Sequence, residues 1–579
     1  MRSSAAAAFE MNSIKFVESL FVVVLTGMMA ACGGATSGGA TSGGTGAIAT
    51  PASAATAPPS LPAPAGSASL TQATAPSSAA AAGASSSSGS DAEPVFGLAA
   101  RAYSPSTANA GTPSTTVPSN ASAPSIPAFY VAPTGSDSAS GNAAAPFASL
   151  GRAQTAMRSS GIKTTFIRSG IYAAVRLVLT ALDSGETWSY FPDDGIDTAV
   201  LEGGTTAPNT GTNVITILGG SNITINGLAI QHFRDWGIGI HGGAGDASDG
   251  FVNTTASADF DVVTGNLIRA GYTTANSGWG GGGIWAKGQV RQLIVKNNVI
   301  SDQFGSGIRV DSNGDGSTPD DDISGLSIQN NVLLNTNQAT GDNGAIYIQD
   351  QNFASTNLSI VNNFIRDYQS TGGLRNSNVP MRDVAIYLDR GASNIQIKGN
   401  VIGNTANAIA GADTEDSTQA IFIGSGSNVT ISGNIIDLGT AGAICSLVYE
   451  HYYSDDPPMT GNSFVSNVLL GNWHGPQKCY ALGVGPYGYP SGSLGGHMIA
   501  PLTAHNIYYN VGAGSLLTDG NAFGDASPVE GMNPMLSGWT YDVDASSPLL
   551  TLGGGFQAPA ASWGPLGYAV PAVGTAPSL

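Results

Sequence analysis

The chain predicts an all-β solenoid, and three features predict it. The first is a phrase that returns between about residues 223 and 510: apolar, polar, Asn or Gly, Asn, apolar, apolar. The copies read Val295-Lys296-Asn297-Asn298-Val299-Ile300, Ile328-Gln329-Asn330-Asn331-Val332-Leu333, Ile360-Val361-Asn362-Asn363-Phe364-Ile365, Ile397-Lys398-Gly399-Asn400-Val401-Ile402 and Ile431-Ser432-Gly433-Asn434-Ile435-Ile436. Weaker copies centre on Leu228, Asn266, Asn467 and Asn506. The spacing is roughly 32–39 residues, the period range of solenoids. The second feature is a strand after each copy, with alternating apolar residues: Gly237–Ile240, Gly283–Ala286, Gly307–Val310, Ala345–Ile348, Ala385–Leu388 and Ala420–Ile423. The third is composition. There are 79 glycines and only 10% charged residues, as suits many tight turns on a long strand-rich core.

The elements follow in chain order. The apolar run from Leu20 is too short to span a bilayer. With Met28-Met29-Ala30-Ala31 before Cys32 it looks like a bacterial lipoprotein signal. That resemblance implies cleavage after residue 31, lipid on Cys32 and export, with anchoring at the outer membrane. Met29 stands where the family prefers Leu, and a start at Met11 makes a more ordinary signal. A plain secretory signal also exports the protein. Residues 32–125 are mostly Ala, Ser, Gly, Thr and Pro, which cannot supply a core, so a disordered stalk is expected. A flexible coil of about 90 residues averages roughly 50 Å end to end.

At Ile126 large apolar residues return. Residues 126–200 are read as an N-terminal cap and first coils, with a helical run ending near Gly161 and strands near Thr165–Ile167 and Val175–Leu179. A helix there would cover the open strand edges of the first coil. Residues 201–515 are the solenoid proper and 516–579 a C-terminal cap and tail. Cys445 and Cys479 sit about one repeat apart, and an oxidising compartment allows them to pair as a disulfide or to remain buried thiols.

One coil per repeat places each recurring Asn above the previous one, about 4.8 Å away. Its amide donates and accepts, so the stack satisfies buried turn groups coil after coil. In these repeats, over about residues 127–550, the chain resembles the right-handed parallel β-helix proteins of the pectin-lyase-like superfamily. That resemblance implies a right-handed parallel β-helix and a carbohydrate-active protein. The net charge of −19 argues against nucleic acid or an anionic membrane surface as partner. A monomer is expected.

Alternation turns the isoleucines of the second strand set inward and their neighbours outward. One outward column then reads Gly239, Trp285, Arg309, Tyr347, Tyr387, Phe422, and the next His241, Lys287, Asp311, Gln349, Asp389, Gly424. Aromatic faces beside amide, carboxylate and guanidinium groups suit a sugar chain. Trp285, Arg309, Tyr347, Gln349, Tyr387 and Phe422 are therefore the candidate substrate contacts. The segments Asp342–Tyr347 and Ala385–Asp389 resemble paired motifs of β-helix glycoside hydrolases, which implies a catalytic role for Asp389. Other members carry a second Asp where Arg390 stands. Hydrolysis needs a second carboxyl, and Asp350, Asp311, Asp342, Asp413 and Glu415 are the candidates.

Asp311-Ser312-Asn313-Gly314-Asp315-Gly316, continuing to Asp322, has the spacing of a calcium loop. Asp311, Asn313, Asp315 and Asp322 are the expected ligands of Ca2+, although Asp322 replaces the usual bidentate Glu and strands flank the loop. Calcium would favour a second reading. Polyuronate lyases of this fold bridge the substrate carboxylate with calcium and use Lys or Arg as base, a role open to Lys287 and Arg309. A third reading is a non-catalytic glycan-binding wall. Glu450, His451, Trp473 and His474 lie late in the coil and read as structural; His232 and His241 lack companions at metal-ligand spacing.

Overall fold

The computed structural model describes residues 126–570, apart from 192–198, 205–212, 244–255, 272–280, 313–321, 339–342, 369–382, 404–417, 440–443, 452–455, 472–479, 485–498, 500, 512–514, 519–520, 552–555, 557, 560–562 and 566–567. The proposed signal, Cys32 and the stalk lie outside the described residues.

Each coil contributes one strand to each of three walls. A representative coil runs through Ile294–Lys296 on the first wall, Val299–Gln303 on the second and Ile308–Asp311 on the third. Each wall is a twelve-stranded sheet, parallel throughout except where Ser515–Thr518 and Asn521–Gly524 close the third wall as an antiparallel pair. The chain is a right-handed parallel β-helix. Its interior is filled by stacked aliphatic columns such as Val295, Ile328 and Ile360 on the first wall, and Ile308, Ile346 and Ile386 on the third, all fully buried. Each such side chain contributes roughly 1.5–3 kcal/mol.

The recurring phrase bends the chain from the first wall to the second. Its third position must take a left-handed backbone, with φ of 55° at Asn297, Asn330 and Asn362 and 63–64° at Gly399 and Gly433. Glycine and Asn tolerate that conformation best, which explains why the position alternates between them. Its fourth position forms a continuous buried ladder. The backbone N–H and Nδ2 of Asn266 both donate to Oδ1 of Asn298, at 2.9 and 3.0 Å. The same pair of bonds links Asn298 to Asn331, Asn331 to Asn363 and Asn363 to Asn400. It continues through Asn434 and Asn467 to Asn506. Each Nδ2 also donates to a first-wall carbonyl, as Asn331 does to Val295 at 2.9 Å. The ladder begins at the Leu228 N–H and ends on the Asp525 carboxylate, which accepts both Asn506 donors.

A helix at Leu150–Ser160 covers the N-terminal end. Ser149 caps its start by accepting the Arg152 N–H, and Gly161, at φ 77°, ends it. Leu150, Ala153, Ala156 and Met157 face the core.

The C-terminal tail departs from a simple end cap. The fifth position of the phrase points outward on the second wall, so Val299, Val332, Phe364, Val401, Ile435 and Val468 form an external apolar column. The tail runs back along it. Trp563 packs on Phe364 with ring centres 5.3 Å apart, the Gly564 N–H donates to the Asn330 carbonyl, and the Tyr541 hydroxyl donates to Asp437 at 2.6 Å.

Two stability predictions follow from these contacts. Asn363→Ala leaves both Asn331 donors without their acceptor and removes the Nδ2 donor to Asn400 and the Ile328 carbonyl, while the backbone N–H to Asn400 remains; chemical denaturation should show a loss of at least about 3 kcal/mol. Asn297→Gly, at a left-handed bend outside the ladder, should cost less than about 1 kcal/mol. The second concerns Asp261, fully buried, whose Oδ1 accepts the Ile223 N–H at 2.8 Å. Burial, with a smaller push from Asp259, raises its pKa to about 8 from 3.8. The native state therefore keeps a proton that the unfolded chain releases near pH 4. Stability from this group is full below about pH 4 and falls as pH rises toward 8. Asn462 occupies the equivalent turn later in the helix and binds the Val429 N–H. Asp261→Asn should flatten this part of the Tm-against-pH curve, and an unchanged curve would show that Asp261 is not the titrating group.

Candidate functional site

Strand register builds the third wall's outer face. Gly239, Trp285, Arg309, Tyr347, Tyr387 and Phe422 pair in one continuous column. His241, Lys287, Asp311 and Gln349 pair in the next. Asp389 directly follows the paired Leu388, and its N–H donates to the Ile348 carbonyl, which sets it beside Gln349.

Two carboxylates anchor this face. Oδ2 of Asp311 accepts the Trp285 indole N–H and the Arg309 Nε–H, both at 2.7 Å. Asp311 is 4% exposed, and its Oδ1 has no hydrogen-bond partner. Oδ2 of Asp389 accepts the Tyr347 hydroxyl in a short bond and the Gln349 amide at 3.1 Å. Arg309 links the two groups, with its guanidinium 4.3 Å above the Tyr347 ring. Burial works against the charge on Arg309, but Asp311, Tyr347 and Asp389 outweigh it and hold the guanidinium protonated. Burial, then the nearby Asp389, pushes the Tyr347 hydroxyl well above its ordinary pKa, so it remains a donor.

The row of aromatics divides in two. Trp285 is half-buried, beneath Lys287 at 5.5 Å and against Trp236, also at 5.5 Å. Tyr347 and Tyr387 are 2% exposed and Phe422 is fully buried. These three rings pack edge-on in series at 5.1 and 4.8 Å and share an external cluster with Val384 and Val448. These three rings thus pack against each other, and Trp285 is the half-buried ring of the column. The more accessible groups of this face are Trp285, Lys287, Gln349 and Asp389, all half-buried, while the Arg309 side chain is 11% exposed.

Asp350 does not join this face. It follows Gln349 by one residue, is fully buried, and its Oδ2 accepts the Ser355 N–H at 3.0 Å. Burial raises its pKa. Alternation places it on the opposite side of the chain from the outward column. Arg390, at the position where related motifs carry a second Asp, is paired instead with buried Asp456 at 2.6 Å.

Among the expected calcium ligands, Asn313 and Asp315 lie outside the described residues, as do Asp342, Asp413, Glu415, Trp473, His474, Cys479 and the side chain of Cys445. Asp322 accepts the Ser324 N–H through Oδ1. The described residues contain no cluster of three or more His, Cys, Asp or Glu suited to a metal. Arg309 already supplies positive charge at Asp311.

Sequence reading missed what fills the column's N-terminal end. A Cβ on Gly239 would lie 2.0 Å from the Asn213 amide, so glycine admits Asn213 there. His241 is 6% exposed and edge-on to Trp285 at 5.3 Å. Burial, then Lys287, lowers its pKa to about 3, leaving it neutral. His232 lies on another wall, bonded to Glu202 at 2.7 Å. His451 and Glu450 are buried, and the His451 Nε2 meets the Pro457 carbonyl at 3.2 Å.

No protein-family model matches the chain, and no curated protein matches it. Among solved structures it is similar to the complex of XylC with xylose, at 10% identity and TM-score 0.41, over 71% of this chain and 87% of that one. It is also similar to an alginate lyase from Paenibacillus sp. str. FPU-7, at 16% identity and TM-score 0.31, over 55% and 95%. A third is the Dettilon tailspike protein, at 12% identity and TM-score 0.37, over 69% and 68%. At this degree of likeness none of the three bears on the reaction of this chain.

Proposed function

We propose that the third wall hydrolyses glycosidic bonds of an extracellular polysaccharide, with Asp389 and Asp311 as the carboxyl pair. The observation that carries the reading is their placement. Both project from one outward column two coils apart, with Arg309, Tyr347 and Gln349 between them. Two strand spacings put their backbones roughly 9–10 Å apart. We read this spacing as inversion, which needs the carboxyl groups themselves roughly 6.5–9.5 Å apart to admit a water.

The roles follow from the partners. Asp311, paired with Arg309, is assigned as the carboxylate that takes a proton from water, and its buried Oδ1 is the oxygen without a hydrogen-bond partner. Asp389 is the carboxyl group assigned to give a proton to the glycosidic oxygen. The water oxygen bonds to the anomeric carbon, the bond to the leaving sugar breaks, and both products are hydroxylated. Trp285 supplies the apolar face for one pyranose. In the lyase alternative the base falls to Lys287, since Asp311 holds Arg309 protonated. Lipid on Cys32 and the following stalk would hold this activity at the outer membrane.

Digestion of a glycan panel tests the reading. New reducing ends should appear without near-ultraviolet absorbance, and NMR of the first products should show the inverted anomer. Asp389→Asn and Asp311→Asn should each lower kcat by about 10²–10⁴-fold. Unsaturated products would establish a lyase, retention without cleavage a binder, and wild-type rates in Asp389→Asn would remove that residue from the chemistry.

A further inference from the structure

A second cleft lies on another wall, between the helix and its returning tail. On the second wall Asp437, Leu470 and Tyr509 pair in register over three successive coils and face outward. Beside them the tail forms a hairpin, Leu536–Ser537 against Asp542–Val543. Its turn carries Tyr541, whose hydroxyl bonds Asp437. The hairpin and the wall enclose a cleft of about 280 Å³. That is near the lower end of the roughly 300–1,000 Å³ common for ligand sites.

The backbone around the cleft is unusual. Tyr541 holds a φ of 56°, and so does Asn510 on the rim. A left-handed backbone is disfavoured for an aromatic residue and marks a side chain held in place by its surroundings. The hydroxyl bond to Asp437 and the Tyr541 ring's approach to Gly403 hold it there. Tyr509 and Tyr541 are half-buried, so each keeps an open surface. Asp437 spends Oδ1 on the Gly439 N–H and Oδ2 on Tyr541, yet a carboxylate oxygen accepts more than one bond.

We propose that this cleft binds an uncharged saccharide and serves as an anchoring site separate from the third wall. Aromatic rings, a carboxylate acceptor and a side-chain amide are the groups that hold a pyranose by its apolar face and hydroxyl rim. Among the described residues no Lys or Arg lines the cleft, and the chain carries a net charge of −19. A uronate or sulfated sugar would meet Asp437 without a counter-charge.

Affinity electrophoresis of the full chain tests this, in gels containing β-glucan, xyloglucan, galactomannan or polygalacturonate. At least one neutral polysaccharide should retard the protein, and polygalacturonate should not. Tyr509→Ala should raise the apparent Kd at least tenfold. Asn510→Gly, which suits the left-handed backbone and removes only the amide, should raise it several-fold and covers the case of a misfolded Tyr509→Ala. No retardation by any neutral polysaccharide, retardation unchanged in both cleft variants, or retardation by polygalacturonate alone would overturn the proposal. The readout is binding, so absence of cleavage at the third wall leaves it intact.

Discussion

The asparagine ladder is the constraint on which the rest of this protein depends. Each Asn gives its backbone N–H and its Nδ2 to the same oxygen of the next coil. A coil displaced by one residue would lose both bonds and leave buried amides unpaired, so the bends must stack. Stacked bends fix the register of all three walls, and register fixes which side chains share an outer column. The ends of the ladder are chemically matched to their places. Leu228 opens it with only a backbone donor, and Asp525 closes it with only acceptors.

A common interior supports three different exteriors. The first wall presents short polar groups, with Ser327, Ser359, Gln396 and Thr430 in one column. The second presents an apolar column that the tail must cover. The third carries charge. Its buried Arg309–Asp311 pair costs desolvation, which is tolerable only because each partner satisfies the other and Trp285 and Tyr347 add contacts.

Much of the architecture was legible in the repeats. The phrase contains the bend, the ladder residue and the inward apolar positions, and alternation assigns the outer columns residue by residue. The pairing of Trp285 with Arg309, and of Tyr347 with Tyr387, follows from aligning copies. The helix before Gly161 was legible from its composition and its terminal glycine.

The sequence by itself therefore determined the fold, the register and the membership of each outer column, because these depend on local periodicity and on one repeated amide. Tertiary structure alone decided what covers the columns. Tyr347, Tyr387 and Phe422 were assigned outward correctly yet are buried among themselves and Val448, and Asp350 is turned away beneath the wall. Arg309 and Asp311 became partners because alternate residues on one strand share a face. The tail's hold on the second wall joins residues 104 positions apart, Tyr541 and Asp437. Periodicity states whether a side chain leaves the core; it carries no record of which distant segment meets it outside.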